Sequence, residues 1–105
     1  MKNIQLTCAH ALVKFLIAQK TLIDGKKEPL FPGVFGIFGH GNVACLGQAL
    51  QENQKDLPTW RGHHEQNMAL TGIAYSRAKR RKQIFVATSS VGPGSTNMIT
   101  AAAVA

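Results

Sequence analysis

The stretch VFGIFGHGNVACLGQALQE, residues 34–52, predicts a strand, a tight turn and a helix in direct succession. Val34–Phe38 is an apolar run of strand-forming residues between glycines, so we predict a buried strand. Gly39–Asn42 is predicted to turn the chain into a helix that begins at Val43 and places Leu46 and Leu50 on the same face as Val43. A strand followed at once by a helix is the repeating unit of a parallel α/β sheet.

The segments before this unit predict one helix and one loop. Thr7 is a suitable N-cap, and apolar residues recur after it at helical spacing, up to about Gln19. Thr21–Gly33 contains Asp24-Gly25 and two prolines, which favour a loop.

The segments after this unit repeat the alternation. Thr59–Arg61 is predicted as a second strand, Glu65–Lys79 as a helix with small residues on its packing side, and Gln83–Thr88 as a third strand. Ser89–Gly94 is predicted to be a turn, and Ser95 or Thr96 to open a last helix. The predicted fold class is therefore α/β, a parallel sheet with helices on both faces. The last eleven residues are still in helical register, so we expect residues 1–105 to be the N-terminal part of a longer domain.

Composition narrows the class of protein. The 105 residues are 45% hydrophobic and 16% charged, which indicates a globular chain and excludes a disordered one. The net charge of +7 raises nucleic acid or another acidic partner as a possibility. Two distant cysteines form no zinc or disulfide pattern, and no signal peptide or membrane span is indicated, so we expect a cytoplasmic protein.

Several patterns have both a chemical and a structural interpretation. Gly39–Ala44 matches G-x-G-x-x-A after a strand, as in dinucleotide-binding proteins, but the glycines also suit any tight turn. The basic run Arg77–Lys82 suits nucleic acid, or simply the carboxyl end of a helix. His63 and His64 lack the spacing of metal ligands, so we expect no metal site in this chain. Glu65 suits the first turn of a helix whether or not it has another role.

Two longer segments resemble one family when they are taken together. HEQNMALTGIAYSRA and IFVATSSVGPGSTNMITAAAVA are similar to the pyrimidine-binding domain of thiamine-diphosphate-dependent enzymes, and VFGIFGHGNVACLGQAL is similar to its first strand, turn and helix. The segments occur in the family's order and cover nearly all of the chain. The resemblance implies a flavodoxin-like pyrimidine domain, with Glu65 at the position of the family's glutamate.

The resemblance also implies a cofactor, a reaction and a site. In the family, the matching glutamate binds N1′ of the aminopyrimidine ring of thiamine diphosphate, so Glu65 is the expected catalytic and cofactor-binding residue. Within the family, the chain is most similar to members that hydrolyse a carbon–carbon bond of a cyclic 1,2-dione, giving 5-deoxyglucuronate in inositol breakdown. The residues expected on the substrate side follow the first and third predicted strands: His40, Gly41, Asn42, Ser90, Gly92 and Pro93.

Other parts of the family's active site have no counterpart in this sequence. The Gly-Asp-Gly motif with which the family binds magnesium and the diphosphate is absent, so Mg²⁺ is expected on a separate domain. The resemblance implies a homodimer or tetramer in the full-length protein and an inactive isolated fragment. Two alternatives remain open: an enzyme similar to acetohydroxyacid synthase, and a small basic module that binds nucleotides or nucleic acid.

Overall fold

The computed structural model describes residues 2–105 and confirms the predicted α/β class. In chain order the elements are α1 (Cys8–Ala18), β1 (Lys20–Ile23), β2 (Lys26–Pro29), β3 (Val34–Gly36), α2 (Gln48–Glu52), β4 (Thr59–Arg61), α3 (Glu65–Ala78), β5 (Val86–Thr88) and α4 (Pro93–Val104). A 3₁₀ turn at His40–Asn42 and a π-helical turn at Val43–Gly47 lead into α2.

A three-stranded parallel sheet in the order β4-β3-β5 carries the fold. Gly36, at the end of the central strand, pairs with both Arg61 and Thr88, so all three strands end at the same level. The chain passes from β3 through α2 to β4, which pairs with one edge of β3. It then passes through α3 to β5, which pairs with the other edge of β3. The three loops that follow the strands therefore leave from one edge of the sheet.

Helices cover both faces of this sheet, as predicted. Val34 lies in a buried cluster with Val13 of α1 and with Leu50 of α2, and Val86 packs against that cluster. On the opposite face, Phe85 and Ala87 line an apolar groove together with residues of α3 and α4. Alternate strand residues thus point to opposite helix pairs, as the pleat of a strand requires.

The prediction of a loop over Thr21–Gly33 is wrong, because β1 and β2 pair there as an antiparallel hairpin. Asp24 and Gly25 both have positive φ, +51° and +79°, which is the geometry of a two-residue hairpin turn. Asp-Gly is a strong signal for that turn, whereas the sequence interpretation treated it as a general chain breaker. The buried side chain of Gln83 anchors the hairpin by donating from Nε2 to the Pro29 carbonyl at 2.8 Å.

Several predicted boundaries also shift. The strands predicted at Val34–Phe38 and Gln83–Thr88 pair over only three residues each, Val34–Gly36 and Val86–Thr88. Ile84 lies before β5, and its N–H donates to the Leu30 carbonyl of the connecting loop. The helix predicted from Val43 begins with irregular turns, which leave Val43 56% exposed and off the packing face.

The last helix begins at Pro93, two residues before the predicted start at Ser95. Proline is favoured at this position because its φ is already helical and the first N–H groups of a helix have no partner within it. The N-cap is Gly92, whose φ of +72° is accessible to glycine and strained for other residues. The starts predicted for α1 and α3 agree: α3 begins at Glu65, and Thr7 caps α1, its side chain accepting from the backbone N–H of His10.

Candidate functional site

Three loops meet at the carboxyl edge of the sheet and bring most of the predicted site residues together. The Gly39–Asn42 turn follows β3, Glu65 follows β4 as the first residue of α3, and the Ser89–Gly92 loop follows β5. The helices after the adjacent strands β3 and β5 lie on opposite faces of the sheet, the arrangement that in open α/β sheets places a crevice outside the carboxyl ends of the strands. Ligands of open α/β sheets bind in such crevices.

Hydrogen bonds and close contacts connect the two loops that border this crevice. Asn42 Nδ2 donates to the Ser89 carbonyl at 3.2 Å, and so joins the loop after β3 to the loop after β5. A methyl group at Gly39 would lie 3.2 Å from Ser90 Cβ, so glycine allows the two loops to touch.

Two residues at the start of α4, Gly94 and Asn97, lie beside the Glu65 carboxylate. Asn97 Nδ2 donates to Glu65 Oε2 at 3.2 Å. A methyl group at Gly94 would lie 3.0 Å from Glu65 Oε1 and 3.2 Å from Ser90 Oγ, so the bare backbone of α4 leaves room for the carboxylate. Glu65 itself is half-buried. The arrangement holds one carboxylate oxygen, and no side chain of residues 2–105 donates to the other.

The surroundings of Glu65 favour its ionised form. Its own backbone N–H, and after it the amide of Asn97, hold the pKa of the Glu65 carboxyl below its ordinary value. Partial burial opposes them, and the neighbouring His64 adds a smaller lowering. Within this chain the hydrogen-bond partners of Glu65 are polar. The group is therefore a ready hydrogen-bond acceptor.

The other predicted substrate-side residues lie around the same edge but differ in their contacts. His40 and Gly41 are exposed, and His40 has a φ of +53°. Ser90 is half-buried beside Gly94, while Gly92 and Pro93 form the N-cap and the first turn of α4 and are exposed. Of the six residues, Asn42 and Ser90 contact the neighbouring loops, and the other four contribute backbone or exposed surface.

Gly94 and Asn97 are the site residues that the sequence interpretation did not single out. Gly94 closes the predicted turn, and Asn97 lies in the first turn of the predicted last helix. Their separation of three residues places them on one face of a helix, and this signal was available once the helix start was known.

The remaining candidates are the histidine pair in the loop before α3 and the basic run at the end of that helix. His63 and His64 are exposed beside the start of α3, and within residues 2–105 no three His, Cys, Asp or Glu side chains cluster as metal ligands would. The basic run Arg77–Lys82 lies at the far end of α3, about 20 Å from Glu65 at 1.5 Å per helical residue. None of the helices described in residues 2–105 has the length and apolarity that spanning a membrane requires.

Comparison with known proteins finds the same family that the sequence segments resemble. The family model described as thiamine pyrophosphate enzyme, N-terminal TPP binding domain, matches residues 18–105. The chain is 54% identical over 105 residues to the 3D-(3,5/4)-trihydroxycyclohexane-1,2-dione hydrolase of Geobacillus thermodenitrificans (strain NG80-2). It is 52% identical to the proteins of that name from Bacillus thuringiensis (strain Al Hakam) and Bacillus anthracis.

These similarities cover 100% of this chain but only 16% of each of the three relatives. The match to the family model includes every strand of the parallel sheet and all three loops at its carboxyl edge. This chain therefore belongs to the thiamine pyrophosphate enzyme family, and its residues 18–105 correspond to the N-terminal TPP-binding domain of that family.

Proposed function

We propose that residues 1–105 form the N-terminal part of a pyrimidine-binding domain, in which Glu65 is the catalytic residue that binds the aminopyrimidine ring of thiamine diphosphate. The observation that carries this proposal is the position of the Glu65 carboxylate. It lies at the carboxyl edge of a parallel sheet, with Oε2 held by Asn97 and with Oε1 free of side-chain donors among residues 2–105.

The residues at this edge fit such a ring. Because Gly94 has no side chain, the carboxylate has space beside α4. A ring packed against Glu65 would exclude water, and loss of water raises the pKa of a carboxyl group. Glu65 could then share a proton with the ring nitrogen N1′, although its surroundings in this chain favour the ionised form.

When bound, thiamine diphosphate supplies an electron sink for cleavage of a carbon–carbon bond next to a carbonyl group. The part of this chain is to bind and orient the ring and to hold the proton at the Glu65 carboxylate. Asn42 and Ser90 fix the two loops beside the crevice, and with His40, Gly41, Gly92 and Pro93 they are the proposed substrate side.

The names of the relatives suggest the substrate. We assign to the protein that contains this chain the hydrolytic ring opening of a trihydroxycyclohexane-1,2-dione, which gives 5-deoxyglucuronate in inositol breakdown. The support is identity of 52–54% along the whole chain, including the loops at the proposed site. Mg²⁺ and the diphosphate are assigned to another part of that protein, and we propose that it forms a homodimer or tetramer. A cytoplasmic location fits the two free cysteines, Cys8 and Cys45.

The experiment is to measure ring opening of the cyclic dione by the protein that carries this chain, with and without thiamine diphosphate. Glu65→Gln is expected to lower kcat by about 100-fold or more, as loss of a proton-holding group does. Glu28→Gln removes the same charge from the hairpin strand β2 and serves as the control. Condensation of two 2-oxo acids at a higher rate than ring opening would instead favour an enzyme similar to acetohydroxyacid synthase.

A further inference from the structure

The start of α4 presents one face to the start of α3. Gly94, Asn97 and Ala101 follow one another at spacings of three and four residues, so they lie on the same face of α4. Gly94 and Ala101 are buried, and these two helices make the most extensive helix–helix contact in the described residues. Asn97 is the amide on this face, and its partner is Glu65.

The chemistry of the two groups fixes the direction of their contact. An ionised carboxylate can only accept hydrogen bonds, so the Nδ2 amino group of Asn97 must face Oε2. Since one end of the carboxylate is held in this way, rotation about its last bond is restricted. The other oxygen, Oε1, to which no side chain of residues 2–105 donates, then keeps a defined position beside Gly94.

We propose that Asn97 is a positioning residue for the catalytic carboxylate: it holds Glu65 Oε2, so that Oε1 is the oxygen presented to the aminopyrimidine ring. This inference rests on the proposed function of Glu65. It adds a residue that acts through Glu65. It also assigns separate roles to the two oxygens of one carboxylate.

The contact has a consequence that simple packing would not have. Asn97→Asp keeps the shape of the side chain but replaces the donor with a second carboxylate. Two carboxylates in contact cannot both ionise easily, so the Glu65 pKa should rise in this variant. Asn97→Ala, which only removes the donor, should raise the Glu65 pKa less. His64 is the other titratable group that acts on Glu65, and it is unchanged in both variants.

Asn67→Asp is the matched control. Asn67 is an exposed amide on the first turn of α3, two residues from Glu65, and its side chain makes no hydrogen bond within the described residues. Side chains two apart on a helix do not face each other. The control therefore adds the same charge nearby without removing the contact, and it should move the Glu65 pKa less than Asn97→Asp does.

The experiment is a carboxyl ¹³C NMR titration of Glu65 in the wild-type chain and the three variants, without ligand. The Glu65 pKa is expected to be highest in Asn97→Asp, lower in Asn97→Ala and lowest in wild type. An equal Glu65 pKa in all of them would overturn the inference. Because aspartate has the shape of asparagine, Asn97→Asp still provides the test if Asn97→Ala fails to fold.

A second measurement separates this inference from the proposed function. The labelled chains are titrated with 4-amino-2-methylpyrimidine, the ring fragment of the cofactor. Asn97→Ala is expected to bind the fragment several-fold more weakly than wild type. Equal affinity in wild type and Asn97→Ala would overturn the positioning role alone, whereas absence of binding by the wild-type chain would overturn the proposed function.

Discussion

His10 and Glu52 join the first two helices through side chains that remain in contact with water. His10 Nε2 lies 2.7 Å from Glu52 Oε2, and His10 Nδ1 lies 2.7 Å from the hydroxyl of the N-cap Thr7. The side chains are 22% and 52% exposed. The pair therefore connects the cap of α1 to the end of α2 across the surface of the molecule.

The Glu52 pKa makes this connection sensitive to acid. Hydrogen bonds from His10 and then from Gln48 hold the pKa of Glu52 below its ordinary value of 4.5. A lowered pKa in the folded state stabilises the fold above the unfolded-state pKa, and this contribution is lost as the pH falls through the folded-state value. We expect Glu52→Gln to reduce the loss of stability between about pH 6 and pH 3.

Urea unfolding at both pH values checks this expectation, with Glu28→Gln as the variant that removes a carboxylate from the hairpin instead. An unchanged difference in unfolding free energy between the two pH values in Glu52→Gln would contradict it.

Among single residues, the sequence analysis identified some site residues and missed others for physical reasons. Glu65 was identified because its surrounding residues resemble a family segment, although its position alone suits any helix start. Asn97 was missed because its importance depends on contact with a residue 32 positions away along the chain. Short-range spacing carries no information about such a contact.

The β1–β2 hairpin is the element that the sequence interpretation missed. Its prolines and its Asp-Gly pair suggested a loop, but the pairing of Thr21 with Glu28 and of Leu22 with Lys27 gives a regular two-stranded ribbon. Side chains of Lys20, Lys26 and Lys27 are exposed on it, so alternation of apolar residues was too weak to indicate strands. The turn itself, rather than the strands, carried the usable signal.

Replacing Gly25 tests whether that turn supports the hairpin. No atom lies within 4 Å of the position that a methyl group would take, so Gly25→Ala costs only the strain of its φ of +79°. We expect a loss of about 1 kcal/mol in unfolding free energy, measured by urea titration.

Gly41→Ala is the matched control, because its methyl group would also meet no atom within 4 Å and its φ is not positive. Equal stability of the Gly25→Ala and Gly41→Ala variants would show that the turn does not hold the hairpin in the described geometry.

For the whole molecule, the alternation of parallel strands and helices after residue 33 was predictable, and this alternation places the site. Strand and helix alternation implied a parallel sheet with its loops at one edge, and the structure confirms that arrangement. The sequence did not predict the spatial order of the strands in the sheet, β4-β3-β5, which puts the loops after β3 and β5 side by side. Strand order depends on which helix covers which face, and short apolar strands do not encode it locally.

The central claim is that the Glu65 carboxylate binds an aminopyrimidine ring at this edge. The most direct test is an NMR titration of the labelled chain with 4-amino-2-methylpyrimidine, comparing wild type with Glu65→Gln and with Glu28→Gln. A ligand of this size is expected to bind in the millimolar range. The account predicts shifts of the Glu65, Gly94 and Asn97 signals, with about tenfold weaker binding in Glu65→Gln alone. Equal binding by Glu65→Gln, or shifts confined to residues away from this edge, would contradict it.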